Sequence, residues 1–188
     1  MKSSKILGGI AAIIGAIFVV VGVVAWIFVA NMLSAQQITV AEAAHHDADS
    51  TPISLAWPLS AQPGTKMNNP LGALAQAEII GVHAQDSAWD ALEQGGVDLS
   101  GLEHKDMTYA TVSPSNFPGA TDDQATLISA QRTALNQAAG LQSSLFTSVL
   151  AFGVSLFAVG TGVTAILLGL GVMKNAGRRE EDDVVIEA

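Results

Sequence analysis

Residues Ile6 to Leu33 form an unbroken run of 28 residues without a charged side chain. As a helix such a run rises about 40 Å, against roughly 30 Å for the hydrocarbon core of a bilayer. A second run, Leu145 to Met173, is equally free of charge. The 111 residues between the two must then lie on one side of the membrane. The fold class expected is mainly α: a membrane protein with two antiparallel transmembrane helices and a mostly helical, partly irregular extracytoplasmic segment.

The chain divides accordingly. Residues 1–5 form a cytoplasmic N-terminus and 6–33 the first transmembrane helix. Residues 34–69 read as an extracytoplasmic linker, 70–120 as a helix and loop region, and 121–144 as a helix leading into the membrane. The second transmembrane helix covers 145–173, and 174–188 form a cytoplasmic tail. Hydrophobic residues make up 49% of the chain, an ordinary share concentrated in two blocks. The net charge of −9 argues against nucleic acid as a partner, since that requires a cationic surface. The absence of cysteine excludes disulfides, thiolate metal sites and thiol nucleophiles.

Lys2 and Lys5 before the first run raise the question of a signal peptide. Signal h-regions are typically about 7–15 residues long, and this run is about twice that. Ala35 offers a cleavage position, but Leu33 two residues earlier makes a poor site, so a retained anchor is expected. No cysteine is present for lipidation. Basic residues near the spans set orientation. They are Lys2 and Lys5 at one end and Lys174, Arg178 and Arg179 at the other, whereas residues 34–144 hold 3 basic and 12 acidic residues. Both termini are therefore expected in the cytoplasm, residues 34–144 outside, and the chain in the plasma membrane as a multi-pass protein.

Read at 100° per residue, Gly8, Gly15 and Gly22 fall within about 40° of one another, flanked by Ala11 and Ala12. Ile10, Ile13, Ile17, Val20, Val24 and Phe28 occupy the opposite face. In lipid, helices associate where small residues let backbones approach. The glycine side is therefore expected to face protein and the bulky side lipid, with Trp26 and Phe28 toward the outer end. The second run has two small faces. Gly153, Gly160, Thr164 and Gly171 form one, and Ala151, Ser155, Ala158, Gly162 and Gly169 the other. Antiparallel pairing would set Gly22 level with Gly153, Gly15 with Gly160 or Gly162, and Gly8 with Gly169. Periodicity leaves open which face meets the first helix. The spare face is a candidate contact for another membrane protein or a second copy.

Between the runs, Ile38-Thr39-Val40 reads as a short strand that could pair with a second at Met107 to Val112. Pro52, Pro58 and Pro63 oppose regular structure in the linker. Asn69-Pro70 is a helix start, and Leu71 to about Asp86 reads as a helix with Leu71, Leu74, Ala75, Ile79 and Val82 buried. Trp89 and Leu92 are expected to cover its end, and Gly95-Gly96 to break the pattern. Thr121-Asp122-Asp123-Gln124 fits a capping box. The helix it opens carries Leu127, Ile128, Ala134, Leu135, Ala138 and Leu141 as its apolar stripe, with Gly140 the expected bend. The acidic end, Glu180 to Asp183, reads as a short disordered tail.

Two histidine groupings invite a metal reading: His45-His46-Asp47 with Asp49, and His83 with Asp86 at i and i+3. Neither supplies a third or fourth ligand at a helical or hairpin spacing. No metal, cofactor or catalytic residue is expected from them.

Three stretches carry a resemblance. They are Ile38-Thr39-Val40, Ala75-Gln76-Ala77-Glu78-Ile79-Ile80 with His83-Ala84, and Leu145-Phe146-Thr147-Ser148-Val149 through Ala151-Phe152-Gly153-Val154. With the two-span layout they resemble a group of small actinobacterial membrane proteins of unknown function. Members of that group often bear the label aromatic ring-opening dioxygenase, LigA type. Ring opening needs a non-haem iron on a facial set such as two histidines and a carboxylate. Here His45, His46, His83 and His104 are scattered, so the residues predict no such activity. The expected function is that of a non-enzymatic membrane protein, an accessory or assembly partner of a larger membrane or envelope complex. The alternative is an oligomeric small channel or transport component, which the absence of charge in both runs disfavours.

Overall fold

The structure is a computed structural model that describes residues 2–41 and 55–186, with side-chain surroundings for 3–41 and 55–177. It is mainly α, with α1 at Lys2–Ala35, α2 at Pro70–Gln94 and α3 at Asp122–Ile186. No strand occurs among the described residues. The chain divides into two compact units, Met1–Met32 with Leu150–Ala188, and Leu33–Val149. Both α1 and α3 contribute residues to each unit.

The first unit pairs α1 with the apolar part of α3. Both helices are long and apolar enough to cross a membrane. They run antiparallel: Gly8 lies against Gly169, Gly15 against Gly162, and Gly22 against Ser155. Each step of seven along α1 is a step of seven back along α3, the period at which a left-handed helix pair keeps its register. Ile10, Ile13, Ile17, Val20, Val24 and Phe28 all point outward. No proline follows Met173, and α3 continues to Ile186 instead of ending in a disordered tail. Once a helix is nucleated, each further residue adds one bond.

The second unit is built on α2 and the first part of α3. The Asn69 side chain accepts a hydrogen bond from the Gly72 amide at 2.9 Å, and Pro70 takes the first helical position, where its missing N–H costs nothing. The helix runs eight residues past the expected Asp86, because no breaker occurs before Gly95. Trp89 and Leu92 therefore belong to α2 and do not cover its end. Its buried positions are Gly72, Ala73, Ala75, Ala77, Ile79, Ala88 and Leu92, whereas Leu71 is exposed and Leu74 and Val82 are half-buried. Small residues on several sides let neighbouring side chains come close, Val40 over Gly72 and Gln142 over Gly81, which a single leucine stripe would not.

Thr121 and Gln124 cap α3 reciprocally, as the pattern predicted: the Gln124 amide donates to Thr121 Oγ1 at 3.3 Å and the Thr121 amide to Gln124 Oε1 at 3.0 Å. On α3, Ile128 and Leu135 are buried while Ala134 and Leu141 are exposed. The helix passes through Gly140 without a break. Between the helices, Val97, Met107, Val112 and Phe117 close over Ala88, Leu92, Ile128 and Leu135 to form the core.

Neither expected strand forms as such. Met107 to Val112 is a series of turns, with the Val112 amide bonded to the Thr108 carbonyl at 2.9 Å. That local bond leaves no extended edge for a partner. Ile38–Val40 instead joins the segment around Thr65: Val40 N–H donates to Thr65 O at 2.8 Å and Met67 N–H to Ile38 O at 3.0 Å. Only a single bridge, Thr39 with Lys66, results.

Candidate functional site

The seam of the first unit is a contact of backbone on backbone. A Cβ added to Gly8 would stand 2.6 Å from the Gly169 carbonyl oxygen, and one added to Gly22 2.7 Å from the Ser155 carbonyl oxygen. A Cβ at Gly162 would stand 2.8 Å from the Val19 nitrogen. These neighbours are main-chain atoms of a helix and cannot swing aside. Ser155 is buried in the seam, and its hydroxyl donates to the Ala151 carbonyl at 2.8 Å. Its polar atom is thus satisfied inside its own helix. Near one end of the seam Trp26 meets Phe152 edge-on, ring centroids 4.7 Å apart.

Gly153 and Gly160 are exposed, and nothing lies within 4 Å of a Cβ placed on either. The face of α3 that meets α1 is therefore the one with Ser155, Gly162 and Gly169. The expected level pairing of Gly22 with Gly153 does not occur; Ser155 takes that place. A signal for this lay in the spacing. Ser155, Gly162 and Gly169 repeat every seven residues, in step with Gly8, Gly15 and Gly22. On the other face the same count from Gly153 and Gly160 arrives at Leu167, too large to lie against Gly8. Thr164 and Gly171 are likewise exposed on that open face.

The second unit holds a polar cluster. His104 Nδ1 lies 2.9 Å from Asp86 Oδ1, and the imidazole stacks on Trp89 with centroids 4.5 Å apart. Both side chains of the pair are largely shielded from solvent. Asp86 thus pairs with a residue 18 positions away, and His83 is not its partner in that bond. His83 Nε2 is buried and makes no hydrogen bond. No group of three metal-ligating side chains occurs among the described residues. His45, His46, Asp47 and Asp49 lie outside the described residues.

Beside this cluster a cleft of about 310 Å³ separates α2 from α3, with Met107 and Leu135 in its lining and Glu78, Gln85, Tyr109 and Gln142 among its polar groups. Gln142 donates to the Ala77 carbonyl at 2.9 Å, crossing α2 where Gly81 leaves room for it. Arg132 stands over the Tyr109 ring at 4.1 Å and donates to its carbonyl at 3.1 Å. Nothing in the lining forms a nucleophile–base pair. Elsewhere on the surface, the Ser100 hydroxyl and then its amide hold the Asp98 carboxyl below the usual carboxylate range. The Glu103 carboxylate beside Lys105 raises that ammonium's pKa.

No family model matches the chain, and neither the curated proteins nor the solved structures give a match.

Proposed function

We propose that this chain is a non-enzymatic, two-span protein of the plasma membrane that acts as an accessory or assembly partner of a larger membrane or envelope complex. One observation carries the reading. The apolar part of α3 has two small faces, and α1 uses only one of them. Gly153 and Gly160, with Thr164 and Gly171 beside them, remain open. In hydrocarbon no hydrophobic force holds helices together, so close backbone approach at small residues is what a neighbouring helix can use. The occupant is another membrane protein or a second copy of this chain. Both termini lie in the cytoplasm on this reading, because the basic residues flank the spans there. Residues 34–144 then face outward and present the second unit to envelope partners.

The test is native gel migration in mild detergent of the parent and of a Gly153→Leu/Gly160→Leu variant. The parent is expected to migrate as an assembly and the variant as a folded monomer. If both migrate as monomers, or the variant retains the assembly, the reading fails.

A further inference from the structure

Trp57 is exposed over 84% of its surface. An indole left in water is unusual for a residue that normally buries 150–250 Å². Its place in the chain bears on why. Past the end of α1 the backbone does not run off into solvent. The Gln36 amide bonds to Leu33 O at 3.2 Å and the Gln37 amide to Ser34 O at 3.0 Å. Gln37 then takes a left-handed conformation, φ 52°, and turns the chain. Ile38–Val40 follows at once and is tied to the segment around Thr65, including the Gly64 amide on Val40 O at 2.9 Å. The loop that carries Trp57 is itself folded tightly. Leu59 N–H bonds to Ala56 O at 2.8 Å, Gln62 N–H to Leu59 O at 3.0 Å, and Thr65 N–H to Gln62 O at 2.9 Å.

Trp57 thus sits on a compact loop hung from residues three to five positions beyond Ala35. Val40, five residues beyond α1, lies at most about 18 Å from its end, and the turn at Gln37 shortens that. The run Ile6 to Leu33 is about 10 Å longer than a bilayer core, so in a spanning helix its outer end lies in the headgroup layer. Two more groups on the tied segment suit that layer: Ile38, 41% exposed, and the exposed Lys66, which bridges to Thr39. Tryptophan is enriched at membrane interfaces because one end of its ring is apolar and the other donates a hydrogen bond. Lysine lays its stem on apolar surface and keeps its charge among the headgroups.

We propose that Ile38, Trp57 and Lys66 form an anchor to the lipid surface, with the Trp57 indole in the headgroup layer and the Lys66 ammonium against lipid phosphate. The anchor holds this loop to the lipid surface close to where α1 leaves the bilayer. It rests on the reading of α1 as a span.

The chain has no cysteine, so single cysteines introduced into the full-length protein can be labelled with a nitroxide without background. Three positions suffice, each in protein reconstituted into vesicles of phosphatidylcholine and phosphatidylglycerol: Val20 on the outward face of α1, Trp57, and Glu93 at the far end of α2. Relaxation by oxygen, which concentrates in hydrocarbon, is compared with relaxation by a water-soluble nickel chelate. The label at 57 is expected to fall between the other two, more shielded from nickel than the label at 93. A label at 57 as open to nickel as that at 93, with the label at 20 still in hydrocarbon, overturns the anchor alone. A label at 20 that is open to nickel overturns the span and the anchor together. A second measurement keeps the native side chain. In vesicles with bromine high on the acyl chains, Trp57→Ser should remove part of the bromine quenching of tryptophan fluorescence seen in the parent. Unchanged quenching argues against the anchor.

Discussion

Gly15 and Gly162 lie backbone against backbone: a Cβ on Gly15 would stand 2.5 Å from the Gly162 carbonyl oxygen and 2.9 Å from the Ile166 nitrogen. One methyl group is therefore enough to force the helices apart. Gly15→Ala and Gly162→Ala should each destabilise the hairpin by about 1–3 kcal/mol, the range for overpacking a close-packed site. Gly160→Ala, on the face away from α1, should leave the hairpin of the single chain as stable as the parent's. Unfolding in mixed micelles by titration with SDS reads the difference. Equal stability of all three variants would remove the structural role of the seam.

Orientation can be read with an impermeant thiol reagent on intact cells. A cysteine at Glu93 is expected to react and one at Asn175 to be protected until the cells are opened. The reverse pattern would place the second unit in the cytoplasm.

The Asp86–His104 pair fastens the turn at His104–Asp106 to α2, helped by the stack on Trp89. His104→Ala should cost about 1–2 kcal/mol locally, as for other shielded hydrogen bonds. Hydrogen exchange at the Asp106 and Met107 amides, both bonded within that turn, should speed up while the amides of α1 do not change. Exchange at an unaltered rate would mean that the turn is held by its own capping bonds.

Asn69→Ala removes the side-chain acceptor of the Gly72 amide. Loss of an N-cap costs about 1 kcal/mol, so exchange at Gly72 should rise roughly five-fold. Asn69→Ser, which restores an acceptor, should bring it back.

Protein purified without a polyhistidine tag is expected to carry no stoichiometric transition metal. Elemental analysis decides this directly. One zinc or iron per chain, lost on His83→Ala, would revive an enzyme reading built on the buried His83 nitrogen.

What could be read from the residues alone was whatever short-range chemistry determines. The two apolar runs demand helices wherever backbone groups have no water to bond. Asn69-Pro70 and Thr121 through Gln124 mark helix starts because a cap acts within three residues of itself, and both formed as expected. The Gly95-Gly96 pair ends α2 for the same local reason: Gly95 is still helical and Gly96, at φ 68°, turns the chain. Only the tertiary structure decided which surfaces meet. Both small faces of α3 are legible in the sequence, but a helix advertises every face equally. The choice fell to Ser155, Gly162 and Gly169 because their seven-residue spacing matches that of α1, a property of the pair and not of either helix. Asp86 found His104 from another segment, although His83 stands one turn away, because the turn after Leu102 folds back over Trp89. Ile38–Val40 and Met107–Val112 have similar composition, yet one is tied to Thr65 and the other curls on itself. Extended backbone is stable only when a partner edge stands opposite, and that depends on where the rest of the chain has gone.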